Sequence, residues 1–599
     1  MSFNIDFQPI GRRGECREGD TLLEHARSLG VCLVNICGGV GSCGGCKVQV
    51  VDGEVSPVTE GELEHLTEDE VTRGYRLACL AIPESDCKVY IPAESMAVKQ
   101  RTQVEGLEVR VEPDPCAKAY SIELSPPDLE DLKADTVRIA DELKEKYGLT
   151  DLKFDVFLLR YLSDFLRKQN WHIRVIVYRN EVISVLPENE KPLGVAVDLG
   201  TTKIAMYLME LETGRTLDYK GVMNPQVAFG EDIMTRITQA QSDPDTAAQF
   251  QSLVIDTLNK ATAGMCRENG YSQDQIVNLV IAGNTAMHHL FLKYPVRQLG
   301  RAPYVPEVTE ALDIKVRDLG ITAAPGAYVH MMPNIAGYVG GDHTAMLLAS
   351  EISKEQGVVL AVDVGTNTEI CLSNRGAMSS LSTASGPAFE GAHIKHGMRA
   401  APGAIERFQI IDGESSYQTI DTMPAVGLCG SGILDVFAEL YRVGIINQRG
   451  RLLEDPSVRG EGKEREYLVV SGQGNGKDIT FSQEDIEQLQ LAKGAVRTGI
   501  EVLLSRHGLS ACDVDKSIIA GAFGTYLDVR SAITIGMLPE IPLEKVFQIG
   551  NAAGIGAKLA LISSEKRKEA ELLARKVEYI ELAGTPEFGR VFAKSIRLN

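Results

Sequence analysis

The chain has 599 residues, 44% of them apolar and 24% charged, and carries a net charge of −21. That length holds several domains, and the apolar share is ordinary for soluble globular proteins. The negative balance excludes a general nucleic-acid surface. No signal peptide opens the chain and no apolar run is long enough for a bilayer, so the sequence reads as cytoplasmic, without a membrane partner.

The first 95 residues hold four spaced cysteines: Cys37-Gly-Gly-Val-Gly-Ser-Cys43-Gly-Gly-Cys46, then Cys79 in Tyr75-Arg-Leu-Ala-Cys79. Three thiolates on one glycine-rich loop and a distant fourth suit a two-iron cluster. The first spacing is one residue longer than the plant-type pattern. A structural zinc site usually shows two C-x2-C pairs, and only one is present. Residues 21–29 read as a short helix, with strands at 47–51 and 88–91. Cys16, Cys32, Cys87 and Cys116 fall outside the motif and read as buried thiols, and free thiols point to a reducing compartment. This stretch is acidic, with 8 Lys and Arg against 16 Asp and Glu, and residues 60–70 form a strip expected on a solvated face or facing a basic partner. It resembles a ferredoxin domain of the β-grasp type carrying a 2Fe-2S cluster.

Residues 96–190 read as a linker and a small α/β domain. A charged stretch at 99–112 precedes helical patterns at 128–147 and 155–168, strands at 171–178 and 182–186, and an exit linker at 188–192. No catalytic constellation appears in this segment. Docking or dimerisation is its default role, so a homodimer is among the arrangements expected.

From 191 to 599 the chain repeats itself. Val195-Ala-Val-Asp-Leu-Gly-Thr-Thr-Lys203 returns as Leu360-Ala-Val-Asp-Val-Gly-Thr-Asn-Thr368, and Leu279-Val-Ile-Ala-Gly-Asn-Thr285 as Ser517-Ile-Ile-Ala-Gly-Ala-Phe-Gly524. Matching order implies a duplicated α/β unit with a cleft between its halves. Gly200 and Gly365 allow close backbone approach to phosphate, and the following amides, with the hydroxyls of Thr201, Thr202, Thr366 and Thr368, can donate to it. Asp198 and Asp363 would face the same phosphates, which calls for Mg²⁺ held through water; Lys203 adds positive charge. Gly283, Asn284 and Asn367 lie on the same loops, and Gly521, Ala522, Phe523 and Gly524 look like a turn against adenosine. Gly427-Leu-Cys-Gly-Ser-Gly432 either presents the amides of Gly430, Ser431 and Gly432 to the nucleotide or is a close-packed helix start. Ser482 with Asp485 reads as a capping box opening a long helix. Residues 551–556 suit a hinge-side helix or a small-residue packing face, and 230–236 a first connecting helix. Glu231, Asp232 and Glu369 are the candidates for orienting the attacking water, with Glu369 grouped with Asp198 and Asp363 as catalytic. His288 and His289 fit a core or helix-end position better than a metal site.

These loops resemble the two phosphate motifs and the adenosine motif of the actin, sugar-kinase and heat-shock ATPase superfamily, with its RNase H-like fold. The whole arrangement resembles the reductive activators of corrinoid proteins, to which Asn284-Thr-Ala-Met-His288 and Ser385-Gly-Pro-Ala-Phe-Glu-Gly391 are also similar. The resemblance implies ATP-dependent transfer of one electron, taken from a low-potential donor, that returns Co(II) of a partner corrinoid methyl carrier to Co(I). No histidine follows an aspartate by two residues, so the corrinoid belongs to the partner. An ATP-driven activator of a 2-hydroxyacyl-CoA dehydratase would share the ATPase fold, but Cys266, Cys371, Cys429 and Cys512 lack cluster spacing, which disfavours it. A redox-regulated small-molecule kinase and a chaperone-like reactivator would also fit a cysteine-bearing domain joined to such a cleft.

Overall fold

The computed structural model describes residues 2–8, 12–17, 19–29, 31, 33, 41, 44–92, 95, 111–230, 232–242, 244–472, 478–521 and 527–598. The N-terminal domain is built on strands β1 (Ser2–Gln8), β2 (Arg12–Arg17), β3 (Lys47–Asp52), β4 (Tyr75–Leu77) and β5 (Cys87–Tyr90), in the order β2-β1-β5-β3-β4. Helix α1 (Leu22–Ser28) starts where Thr21 and Glu24 cap each other, and it buries Leu22, Leu23 and Ala26 against Ile5, Phe7 and Val89. Part of the acidic strip turns inward. Glu62, in the short helix α2 (Glu60–Leu63), is fully buried against the Arg76 guanidinium at 2.9 Å and accepts from Leu77 N–H at 3.1 Å. Glu70, in α3 (Glu68–Thr72), pairs with Lys47 at 2.6 Å. Both carboxylates brace the strands around the cysteines.

The middle domain is a sheet β6-β8-β9-β7 from β6 (Ala117–Glu123), β7 (Lys153–Phe154), β8 (His172–Tyr178) and β9 (Glu181–Pro187). It is covered by α4 (Asp135–Tyr147), α5 (Val156–Leu159) and α6 (Leu162–Lys168). The helix expected over 128–147 begins only at Asp135. The Asp128 carboxylate accepts from the N–H groups of Glu130 and Asp131 in a turn, leaving Leu129 94% and Leu132 80% exposed. The second expected helix breaks in two at Arg160 and Tyr161.

The two halves share the order of five strands, and the sixth strand lies on opposite edges of the two sheets. The first sheet runs β12-β11-β10-β13-β15-β14, from β10 (Leu193–Leu199), β11 (Lys203–Glu210), β12 (Thr216–Met223), β13 (Ile276–Gly283), β14 (Leu312–Lys315) and β15 (Tyr328–Met331). Its helices include α7 (Ile233–Ser242), α8 (Pro244–Glu268), α9 (Thr285–Leu292) and α10 (Gly341–Ser350). The second sheet is built around β16 (Val358–Asp363), β17 (Thr368–Asn374) and β18 (Ala377–Thr383). After an inserted sheet of β19 (Ala404–Ile411), β20 (Glu414–Thr419) and β21 (Gly427–Leu428) come α11 (Gly430–Arg442) and α12 (Gln483–Arg506), whose cap is the Ser482–Asp485 box. Strands β22 (Lys516–Ala520) and β23 (Val546–Gly550), helices α13 (Ala552–Ile562) and α14 (Ser564–Lys576), and β24 (Glu578–Tyr579) complete it, giving the order β23-β22-β16-β17-β18-β24. The central strands β10 and β16 are almost wholly buried, as expected when both sheet faces are covered.

In each half a helix follows the fifth strand of the shared order, and these two helices, α10 and α13, cross at the cleft. A side chain at Gly556 would sit 2.1 Å from the carbonyl of Ala345, so only glycine permits this approach. His343 of α10 reaches Ser380 in the second sheet at 2.9 Å. The crossing helix of the first half is therefore α10 and not the segment 230–236. There Arg236 is buried and donates to the Gly230 carbonyl at 2.9 Å, which folds the segment into a local cluster with Phe250 and Leu290.

The middle domain is locked onto the first half. Asp155 pairs with Arg317 at 2.7 Å and with Lys315 at 3.0 Å, Tyr178 stacks on Tyr328 at 4.4 Å, and Tyr178 donates to Asp313 at 2.8 Å. Residues 188–192 are a tight connection into β10, whose Lys191 carbonyl accepts from Gln275 at 3.1 Å. Among the described residues no helix is long and apolar enough to cross a membrane.

Candidate functional site

Strands β10 and β16 each have an antiparallel neighbour on one side and a parallel one on the other, so their C-terminal ends open at a switch point where ligands bind. Asp198 and Asp363 stand at those ends. A cavity of about 240 Å³ lies between them.

The first loop contributes Gly200, Thr201, Thr202 and Lys203 to the lining. Asn224 braces it, donating to the Gly200 carbonyl at 2.9 Å, and Asn284 donates to the Thr201 hydroxyl at 2.9 Å. The second loop contributes Gly365, Thr366 and Asn367. Ser385 holds it from behind, donating to the Gly365 carbonyl at 3.1 Å, and the Thr366 hydroxyl donates to Glu390. Gly430 and Ser431, at the start of α11, face the same space. Gly521 has φ +90°, and a side chain there would meet the Asp363 carboxylate at 2.6 Å, so glycine is required beside that group.

Three expected residues lie elsewhere. Gly283 packs against the Leu199 carbonyl, 2.9 Å from where a side chain would begin, and leaves the lining to Asn284. Thr368 is fully buried and bonds Ser385 at 2.8 Å, so its hydroxyl stiffens the loop instead of facing the cavity. Gly432 lets α11 lie on β19, with 2.0 Å to the Ile405 carbonyl. Ala522, Phe523, Gly524, Glu231, Cys37 and Cys43 lie outside the described residues.

Six carboxyls line the cavity, and four of them, Asp198, Asp342, Asp363 and Glu369, are pushed up by burial. Burial, and after it the like charge of Asp342, pushes Asp198 and Asp363 up to about 7. Burial pushes Asp342 up to about 6. Glu369 is driven well above the usual range by burial, then by Asp342 and Asp363, and its carboxylate accepts from Ser382 at 3.1 Å. Burial lowers Lys203 to about 8, while Glu390 opposes the shift. Such crowding is unfavourable in an empty site and favourable once a cation enters. Asp232 is not part of it: its carboxylate is exposed and caps α7 through Thr235 at 2.9 Å.

Asp342 and Asn551 were missed as site residues by sequence reasoning. Asp342 opens α10 after Gly340 and Gly341, and Asn551 caps α13 after Gly550. The usable signal was the repeat itself, a glycine and a polar residue at the head of the helix after each fifth strand. Asn551 donates to Asp198 at 2.9 Å and to Tyr207 at 3.3 Å. Arg399 also lines the cavity and was not foreseen.

In the N-terminal domain the thiols of Cys46 and Cys79 are buried 3.2 Å apart. Two thiolates ~2.3 Å from one tetrahedral metal lie ~3.8 Å apart, so this pair needs to part by only a few tenths of an ångström to share an iron. Gly41 and Gly44, shortly before Cys46, take φ +81° and +62°, which glycine alone adopts without strain. The described residues thus fit two of the four ligands of an iron–sulfur cluster. Burial pushes the thiols of Cys16 and Cys266 to about 11 and that of Cys371 to about 12, which keeps them protonated and inert. His288 and His289 are buried in α9; His289 uses both ring nitrogens, on the Thr285 carbonyl at 2.7 Å and on the Glu307 N–H at 3.0 Å, burial lowers His288 to about 3 and so keeps it neutral, and no group of three His, Cys, Asp or Glu side chains suited to a metal lies among the described residues.

Residues 5–84 match the model of a 2Fe-2S iron-sulfur cluster binding domain, 106–192 that of the RACo linker region, 193–355 that of the RACo middle region, and 357–599 that of the C-terminal ASKHA domain of RACo. The corrinoid activation enzyme RamQ of Eubacterium limosum is 32% identical over 581 residues, covering 94% of this chain and 93% of that one. A Co(II) methylated amine-specific corrinoid protein reductase of Methanosarcina barkeri is 24% identical over 432 residues, 67% of this chain and 76% of the relative. A solved structure of a reductive activator for corrinoid,iron-sulfur protein superposes with a TM-score of 0.75 at 34% identity, covering 100% of this chain and 98% of that one. With the duplicated cleft and the cluster thiols, these likenesses show that the chain belongs to the RACo family of corrinoid activation enzymes.

Proposed function

We propose that this protein is an ATP-driven reductant. It delivers one electron, drawn from a low-potential donor, to Co(II) of a partner corrinoid protein, restores Co(I), and hydrolyses ATP in doing so. The observation that carries the reading is one chain's pairing of buried thiols at Cys46 and Cys79 with a cleft where two Asp-x-Gly-Thr loops face one cavity. The names of the relatives agree with it.

When bound on Cys37, Cys43, Cys46 and Cys79, a two-iron cluster supplies one-electron chemistry. On the nucleotide side, Thr201, Thr202 and Lys203 take phosphate oxygens from one half, and Thr366, Asn367 and the Gly430 and Ser431 amides take them from the other. Asp198, Asp342 and Asp363 are the residues that would hold Mg²⁺, which would offset the negative charge of the phosphates. Glu369, oriented by Ser382, is the base that takes the proton of the attacking water. Closure of the halves on nucleotide favours one state of the partner, and that differential binding drives the electron uphill. For one electron ~100 mV corresponds to ~2.3 kcal/mol.

Asp363→Asn keeps the shape and removes the charge. It is expected to lower ATP turnover by roughly 10²-fold or more while leaving the visible absorption of the N-terminal domain intact. Full turnover in that variant would remove Asp363 from the machinery and with it the cleft assignment.

A further inference from the structure

Helix α13 begins at the cavity and ends at the root of the segment that carries the cluster domain. At its head, Asn551 donates to Asp198 at 2.9 Å while its side-chain oxygen accepts from Gly554 N–H at 2.9 Å. At its tail, the Ile562 carbonyl accepts from Asp114 N–H at 2.8 Å. One extended residue, Ser563, separates α13 from α14 and bridges in parallel to Asp114. Ser564 then closes the clasp: its N–H donates to the Asp114 carbonyl at 2.8 Å and its hydroxyl to the Asp114 carboxylate at 2.6 Å. Asp114 lies where the chain, coming from the cluster domain, enters the middle domain, three residues before β6.

Between these ends α13 packs on α10 through small side chains. The residues at its head and middle are small, Ala552, Ala553, Gly554, Gly556 and Ala557, so sliding over α10 displaces little side-chain volume. On its other flank a cavity of about 420 Å³ separates Ile555, Leu559 and Ile562 from Val111 and Pro113. A second contact leads to the same domain. Asn224, which braces the first loop through Gly200, also caps the turn Pro225–Ala228 by accepting from Gln226 N–H at 3.0 Å. Strand β5 of the cluster domain lies beside that turn.

We propose that α13 is a strut that carries the occupancy of the nucleotide cavity to Asp114, at the entry to the middle domain. The inference rests on the nucleotide reading given above. A cation ordered by Asp198 competes with Asn551 for the same carboxylate, the head of α13 shifts, and the clasp at Asp114 moves with its tail. Because coupling is reciprocal, a shift of the clasp at Asp114 changes nucleotide affinity by the same factor.

Hydrogen exchange read by mass spectrometry on the full chain with its cluster tests this, alongside calorimetric titration with Mg²⁺ and a non-hydrolysable ATP analogue. The expected result is binding, with exchange in residues 111–118 and 560–567 changed by roughly 5-fold or more. Ser564→Ala should still bind the analogue, with an affinity altered by no more than the coupling factor, but lose the change at 111–118, and Ser564→Thr, which keeps the hydroxyl, should regain it. Binding with unaltered exchange at 111–118 in the unsubstituted protein overturns the strut. Absence of binding overturns the nucleotide reading itself, and the strut falls with it. A Ser564→Ala variant that responds like the parent overturns the clasp.

Discussion

Replacing Asp198 by asparagine should stabilise the nucleotide-free protein above neutral pH and weaken nucleotide binding. In the fold, burial and then Asp342 push Asp198 from 3.8 up to about 7. The unfolded chain releases that proton at the ordinary value, so between the two values the native state binds more protons. Stability is therefore full below the ordinary value and falls as pH rises through the native one. At 1.36 kcal/mol per pH unit the displacement is worth roughly 4 kcal/mol for a fully enclosed group. Asp198 faces an open cavity, and solvent there reduces the cost to about 2 kcal/mol. Asparagine relieves it and still offers an oxygen to the Asn551 amide. For the two halves unfolding together, ~2.1 cal/mol/K per residue makes 1 kcal/mol worth ~1 °C in Tm, so the gain is roughly 2 °C at pH 8, shrinking to nearly nothing near pH 4. Thermal unfolding across that pH range, without nucleotide or divalent cation, reads it. An equal or lower Tm of the variant at pH 8 would refute the carboxylate crowding from which the cation site is argued.

Further outcomes follow from the same geometry. Binding of Mg²⁺ and ATP needs ionised carboxylates, so with Asp198 and Asp363 at about 7 and Asp342 at about 6 it should tighten up to neutral pH and level off beyond; calorimetry in buffers of different ionisation enthalpy should read proton release near pH 6.5, and none would contradict the assignment. Arg567 is buried and donates to the Ala560 carbonyl at 2.7 Å and to Tyr178 at 2.9 Å, so Arg567→Ala should cost about 3 kcal/mol in denaturant unfolding, and a loss under 1 kcal/mol would mean the network contributes little. Gly556→Val should cost about 1–3 kcal/mol by overpacking against Ala345 and lower ATP affinity by separating α10 from α13; unchanged affinity would show that the crossing does not shape the cleft.

How far the sequence revealed the site depended on where each residue's neighbours come from. Asp198 and Asp363 were legible because a buried strand, a carboxylate and a Gly-Thr turn are contiguous in the chain and occur twice. Asp342 and Asn551 act through neighbours far away in sequence, Asn551 on Asp198, and each stands at an ordinary-looking helix start. Thr368 illustrates the converse. Its loop lines the cavity, but strand alternation turns its side chain inward to Ser385. The acidic strip looked solvated because nothing local marks Glu62, whose partner Arg76 is supplied by the next strand. The overlong helix at 128–147 had the right apolar spacing, yet Asp128 ties the chain into a turn that spacing cannot show.

The most direct test is anaerobic absorbance of a Co(II) corrinoid methyl carrier mixed with this protein and a low-potential reductant, with and without Mg²⁺ and ATP. The account predicts a Co(I) band that needs ATP and disappears in Cys79→Ser. A Co(I) band of equal size without ATP, or in Cys79→Ser, would contradict it.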